Sequence, residues 1–215
     1  MNAFWALVRR DLLRTAKSGS LWLPVIFFLL VATLYPFAVG PDPKMLAATG
    51  GGMLWVAALL SALLPMDRLF LADREAGVLD QLAVRGVGDE MIVLAKLVAH
   101  WIGFAVPLLL ATFPAAALLN LSNATLHNLL IGLLIGSHAL AALTVMVAAL
   151  TTGLRGAGAI GGLLLLPLAV PILIFGAGML GNESGAAIKF LAAASLFLTA
   201  IAPFAAGAAL KAARD

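Results

Sequence analysis

The chain contains no cysteine. Disulfides, iron–sulfur clusters and thiolate chemistry are therefore excluded. Charge is scarce: only 11% of the 215 residues are Asp, Glu, Lys or Arg, against about 25% in soluble domains. The longest water-compatible stretch, Asp67 to Lys96, is too short for a second domain with its own core. No Gly-x-x-x-x-Gly-Lys-Ser/Thr occurs, so there is no Walker A loop to hold nucleotide phosphates. A cleavable signal peptide is not expected either. The basic region is long, the apolar run after it is of spanning length, and no small-x-small site follows.

What is present is apolar residue in quantity, at 63% of the chain. The mean hydropathy is +1.11. These values describe an integral membrane protein. The net charge of +3 has a simple source in basic residues flanking spans, and does not suggest nucleic acid. Residues 2–18 set Phe4, Trp5, Leu7, Val8, Leu12 and Leu13 at helical spacing among Arg9, Arg10, Arg14 and Lys17. Such a basic amphipathic helix suits the headgroup layer; the alternative is an ordinary charged tail. A span needs about 20 apolar residues. Six stretches qualify, near 21–39, 46–64, 93–119, 129–150, 159–180 and 187–210.

Orientation follows from lysine and arginine. Arg9, Arg10, Arg14, Lys17, Arg68, Arg74, Arg85, Lys96, Arg155, Lys211 and Arg214 fall on one side, and only Lys44 and Lys189 on the other. The positive-inside rule then puts both termini and the stretch Asp67 to Lys96 in the cytoplasm. That stretch holds ten charges: Asp67, Arg68, Asp73, Arg74, Glu75, Asp80, Arg85, Asp89, Glu90 and Lys96. Each would cost about 2.5–3.5 kcal/mol at the bilayer centre, so it lies outside the lipid. Before Gly77 it extends the second span. After the bend, Val78, Leu79 and Leu82 form the apolar stripe of a short amphipathic helix, with Asp80, Gln81 and Arg85 facing elsewhere. Asp89 is expected to N-cap the third span.

Motifs of chemistry are few. The six carboxylates of this stretch lie in one segment, interleaved with arginines, and read as a solvated, ion-paired face rather than a metal site. Gly132-x-x-x-Gly136 and Gly158-x-x-x-Gly162 read as close helix packing. There are three histidines. His100 and His138 lie in spans, where haem ligation, proton relay or a plain interhelical hydrogen bond are open; His127 falls in an outer loop. A Ser137–His138 hydrolase is a poorer reading still, because neighbours on a helix point about 100° apart and no acidic partner lies in the same span. Pro167 and Pro171 are one turn apart, and Pro36 lies beside Tyr35. Kinked helices free carbonyls that must find partners, so a kink serves either movement or fixed shape. Tyr35, Pro36, His100, His138, Pro167 and Pro171 are the intramembrane candidates for a translocation path.

The layout resembles the membrane half of an ABC-2 type exporter, a family whose coupling helix docks into an ATPase. Arg74-Glu75-Ala76-Gly77-Val78-Leu79-Asp80-Gln81-Leu82 is similar to that family's pattern of an acidic residue, one position, glycine and an amphipathic helix. TLYPFAVGPDP (33–43), WVAALLSALLPMDRLF (55–70), DREAGVLDQL (73–82), LAKLVAHW (94–101) and LLLPLAVPILIF (164–175) resemble CcmB, the B subunit of cytochrome c maturation systems. Pro65 departs from the small or apolar residue expected there. The resemblance implies an all-α, six-span permease over residues 1–215, with an interfacial helix at 1–18 and a cytoplasmic coupling element at 67–92. It has no catalytic residue of its own. Arg74, Glu75, Gly77, Val78, Leu79, Asp80, Leu82 and Arg85 would couple it to the ATPase, with the stripe inserted into the ATPase groove. The resemblance implies a CcmA-like ATPase that alone handles ATP, CcmC-like and CcmD-like membrane subunits, and a CcmE-like periplasmic chaperone. Haem would be handled or transported, and the site would be a bacterial inner membrane. The rival readings are an exporter of a lipid or other small molecule, a membrane-embedded enzyme, and a scaffold.

Overall fold

The computed structural model describes residues 3–154, 156–181 and 184–214. Arg155, counted above on the basic side, and Asn182 and Glu183, in the loop expected to be the last outer one, lie outside the described residues. Among the described residues every regular element is a helix. In order these are α1 (Ala3–Lys17), α2 (Trp22–Val39), α3 (Pro43–Leu63), α4 (Arg68–Glu75), α5 (Val78–Val84), α6 (Asp89–Leu118), α7 (Asn123–Thr151), α8 (Ala157–Gly178) and α9 (Ser184–Ala212). Six are long and apolar enough to cross a membrane: α2, α3 with its extension, α6, α7, α8 and α9. The chain is a multi-pass membrane protein.

The boundaries have local causes. At the turn between α2 and α3 the Gly40 N–H donates to the Pro36 carbonyl at 3.0 Å, and Gly40 reverses the chain with φ of 96°. Asp42 then caps α3, accepting from the Met45 N–H at 3.2 Å, with Pro43 in the first turn where its missing N–H costs nothing. The α3 helix stops before Pro65. Residues 64–67 tighten into i→i−3 bonds, such as Arg68 N–H to Pro65 carbonyl at 3.1 Å, before α4 resumes. Gly77, with φ of 65°, makes the bend into α5. That helix ends in a Schellman motif: Val87 N–H donates to the Leu82 carbonyl at 3.0 Å and Gly86 N–H to that of Ala83 at 2.9 Å. Asp89 is not the cap of α6. Gly88 occupies that position, and Asp89 is the first helical residue, where its charge still meets the positive end of the helix dipole.

The α7 helix is the centre of the bundle, packed by α3, α6, α8 and α9. Its small residues let neighbours approach. Trp55 of α3, only 1% exposed, lies against Gly132 and Gly136 of α7 and Gly176 of α8. A Cβ at Gly136 or Gly176 would come within 2.6 or 2.5 Å of the indole. Gly158 and Gly161 pack closely on Asp67 and Met66, whereas Gly162 faces open space, so that pair is not a GxxxG contact. Helices α2 and α8 stand at the periphery, turning Trp22, Ile26, Leu34, Phe37, Leu163 and Ile174 outward. Both ends of the chain meet the charged stretch: α1 packs on α6, and Arg214 pairs with Asp89.

Candidate functional site

The charged stretch folds into the two-helix element α4–α5. Its apolar stripe does not face outward. Leu79 is buried, and Leu82 and Val87 pack against the body of the protein. Of the stripe expected to enter a partner's groove, Leu79 and Leu82 thus face this chain's own core, and Val78 is half-buried. An apolar stripe shows that a helix has an apolar neighbour, and here the neighbour is this chain's own core. The outward face of α5 is Asp80, Gln81, Ala83, Val84 and Arg85, with Val84 88% exposed. Arg74 and Glu75 are exposed on α4. The Arg74 guanidinium lies on the backbone of Gly153, so closely that a Cβ there would overlap it.

Sequence reasoning missed what holds this element. Asp73, 1% exposed, accepts from Arg10 at 2.8 Å and Arg14 at 2.6 Å, and Lys96 reaches it at 2.6 Å. Lys96, itself buried, also meets Asp11 at 3.2 Å, and Arg10 pairs with Asp11 at 2.7 Å. Burial by itself lowers the Arg10 pKa, but Asp11 and Asp73 outweigh it and raise it above the ordinary value. Helix α1 is thus more than an interfacial float. Leu7 and Val8 press on Ala95 and Ala99 of α6, while its cations clamp α4. The only signal available in sequence was that four basic residues shared α1 with Asp11.

The intramembrane candidates do not form one site. The Tyr35 hydroxyl donates to Thr49 Oγ1 at 2.8 Å, tying α2 to α3 near the turn that joins them, with Pro36 beside it. His138 Nδ1 lies 2.9 Å from the Leu134 carbonyl, and its ring lies against Trp101, tilted by 30° with centroids 4.1 Å apart. Trp101 in turn donates to Ser137 Oγ at 3.0 Å. This joins α6 to α7. His100 stacks on Phe104 at 6.0 Å. Pro167 and Pro171 are exposed on the outer face of α8. Between α1, α4 and α6 lies a half-enclosed cavity of about 270 Å³, with Lys96, His100, Arg68 and Phe104 in its lining.

A six-span bundle carrying a clamped two-helix element on one side is the geometry against which relatives can be judged. The family model described as CcmB protein matches residues 2–213. The chain belongs to the CcmB family. It is 45% identical to heme exporter protein B of Paracoccus denitrificans over 96% of this chain and 97% of that one. It is 39% identical to heme exporter protein B of Haemophilus influenzae over 99% of each. Against the Escherichia coli protein of that name the identity is 36% over 97% of each. The CcmB match thus takes in α1, the α4–α5 element and all six spans together.

Proposed function

We propose that this CcmB chain is the permease subunit of a haem-exporting ABC system and works as a transmission element, with no catalysis of its own. The names of its relatives support haem as cargo. The missing Walker A loop supports an energy source on another chain. The whole of 1–215 acts as one permease domain in a bacterial inner membrane, with both termini and the coupling element 67–92 in the cytoplasm. A CcmA-like ATPase docks on α5. CcmC-like and CcmD-like subunits pack along the exposed spans, and ATP hydrolysis drives haem export or release of a haem-loaded CcmE-like chaperone.

The observation that carries this reading is Val84. It is an aliphatic side chain 88% exposed on the charged side of the bundle, flanked by Asp80 and Arg85. Leaving it in water forgoes about 1.5–3 kcal/mol that burial in a partner's groove would recover. The clamp through Asp73 makes the element rigid enough to pass force to α6 through Lys96 and to α1 through Arg10 and Arg14. The test is affinity purification of the complex from membranes. Val84→Asp should weaken ATPase retention about ten- to a hundredfold while the chain still inserts. Unchanged retention and ATP turnover would remove α5 as the docking face.

A further inference from the structure

The joint between α3 and α4 bears on a second span. Residues 64–67 are held by i→i−3 bonds, with Leu64 N–H donating to the Ser61 carbonyl at 3.3 Å and Met66 N–H to that of Leu63 at 3.1 Å. Such a turn is weaker than the α-helices on either side, so α4 can tilt without carrying α3 along. Two side chains of this turn meet the opening of α8. Met66, 2% exposed, lies on Gly161, and Asp67 lies on Gly158. The two glycines are three residues apart and share one face of the helix. A Cβ at Gly161 would overlap the Met66 methyl and come within 2.8 Å of its sulfur, and one at Gly158 would overlap the Asp67 carboxylate. The joint thus presses on the backbone of α8, with no α8 side chain between them to yield by changing rotamer. Close-packed contacts of this kind transmit displacement. Gly158 is the second residue of α8, so Asp67 also meets the positive pole of that helix, which makes the contact attractive as well as close. Helix α8 itself is lightly held. With α2 it is the span least buried in the bundle, and little packing opposes its movement.

We propose, resting on the reading that an ATPase docks on α5, that Met66 and Asp67 pass movement of the α4–α5 element to α8, and that the inner end of α8 shifts when nucleotide binds the ATPase. This route is separate from the clamp, which ties α4 to α1 and α6 through Asp73. Met66 and Asp67 are positioning residues, acting through the backbone at Gly161 and Gly158.

The test uses the full chain in complex with a cysteine-free form of the ATPase, purified from membranes. The chain has no cysteine of its own. Spin labels therefore go only to L134C on α7 and L163C on α8, both exposed positions. Double electron–electron resonance reads their separation without nucleotide and with ATP and vanadate. The expected result is a nucleotide-driven shift in the mean separation. It should persist in G162A, where a Cβ would meet nothing within 4 Å. It should be lost in M66A and in D67A, with the ATPase still retained. A purely structural role for Met66 would lower stability and leave the shift in place. A separation that nucleotide leaves unaltered in the parent would overturn α8 as the moving span, and a full shift in M66A and D67A would overturn the route. Loss of the ATPase already in the parent would refute the docking reading itself, which tells that failure from this one. Should M66A fail to fold, D67A carries the test, because that side chain is exposed.

Discussion

Asp73→Asn removes the one carboxylate shared by Arg10, Arg14 and Lys96. Breaking a buried ion pair from one side costs about 3–5 kcal/mol. The low end applies, because Arg10 and Arg14 side chains are 34% and 51% exposed and water takes back part of their charge. Lys96 keeps Asp11 at 3.2 Å, which also limits the loss. About 3 kcal/mol remains, or about a hundredfold in the population of molecules whose α1 has lifted off. Trypsin reads this at Arg10 and Arg14, the two α1 cations that the clamp holds. When opening is fast relative to cleavage, the nicking rate follows that population. In mild detergent, Asp73→Asn should therefore be nicked in α1 about a hundredfold faster. Cleavage at Lys44 and Lys189, exposed on the other side, should keep its rate. An α1 rate equal to the parent's would refute the clamp. Equal acceleration at all sites would show that Asp73 holds the whole bundle and not α1 alone.

Three further outcomes follow from packing and backbone geometry. Gly176→Ala puts a Cβ within 2.5 Å of the Trp55 indole and should destabilise the bundle by about 1–3 kcal/mol, seen as a lower midpoint of thermal aggregation, whereas Gly162→Ala should be close to neutral. Gly77→Ala forces a Cβ into the left-handed region at φ of 65° and should cost about 1–2 kcal/mol locally; faster hydrogen exchange confined to α4 and α5 would register it. Pro167→Ala and Pro171→Ala sit on an exposed face and restore a backbone bond each, so the isolated chain should lose no thermal stability. A fall in midpoint would show that the kinks are needed for packing within this subunit.

The spans were legible because the bilayer imposes a length and a composition that local sequence must meet. The bend at Gly77 was legible too, since a glycine between two helical patterns has few other uses. The direction of the α5 stripe was not. Val78, Leu79 and Leu82 announce an apolar neighbour, but periodicity is silent on whether that neighbour belongs to the same chain. Val84, the residue that does face out, breaks no pattern and gave no signal. The clamp was hidden for a different reason. Asp73 looked like one carboxylate among several in a charged segment, and its cations lie on helices distant in sequence. For the same reason the basic face of α1 was assigned to lipid head groups, which attract arginine as a carboxylate does. Pro167 and Pro171 show a third limit: sequence locates a kink without saying which way it points.

The clamp also bears on how the protein is made. Arg10 precedes Asp73 by 63 residues, and Asp11 precedes Lys96 by 85. The α1 helix is therefore synthesised well before its partners, and cannot be fastened until α2, α3 and α4 are placed and α6 has begun to enter. Until then its arginines have only water and anionic head groups for company. Closure of the ion cluster is thus a late event in assembly. A chain whose third span inserted in the wrong sense would carry Lys96 across the bilayer, leave α1 loose, and present its basic residues to proteases.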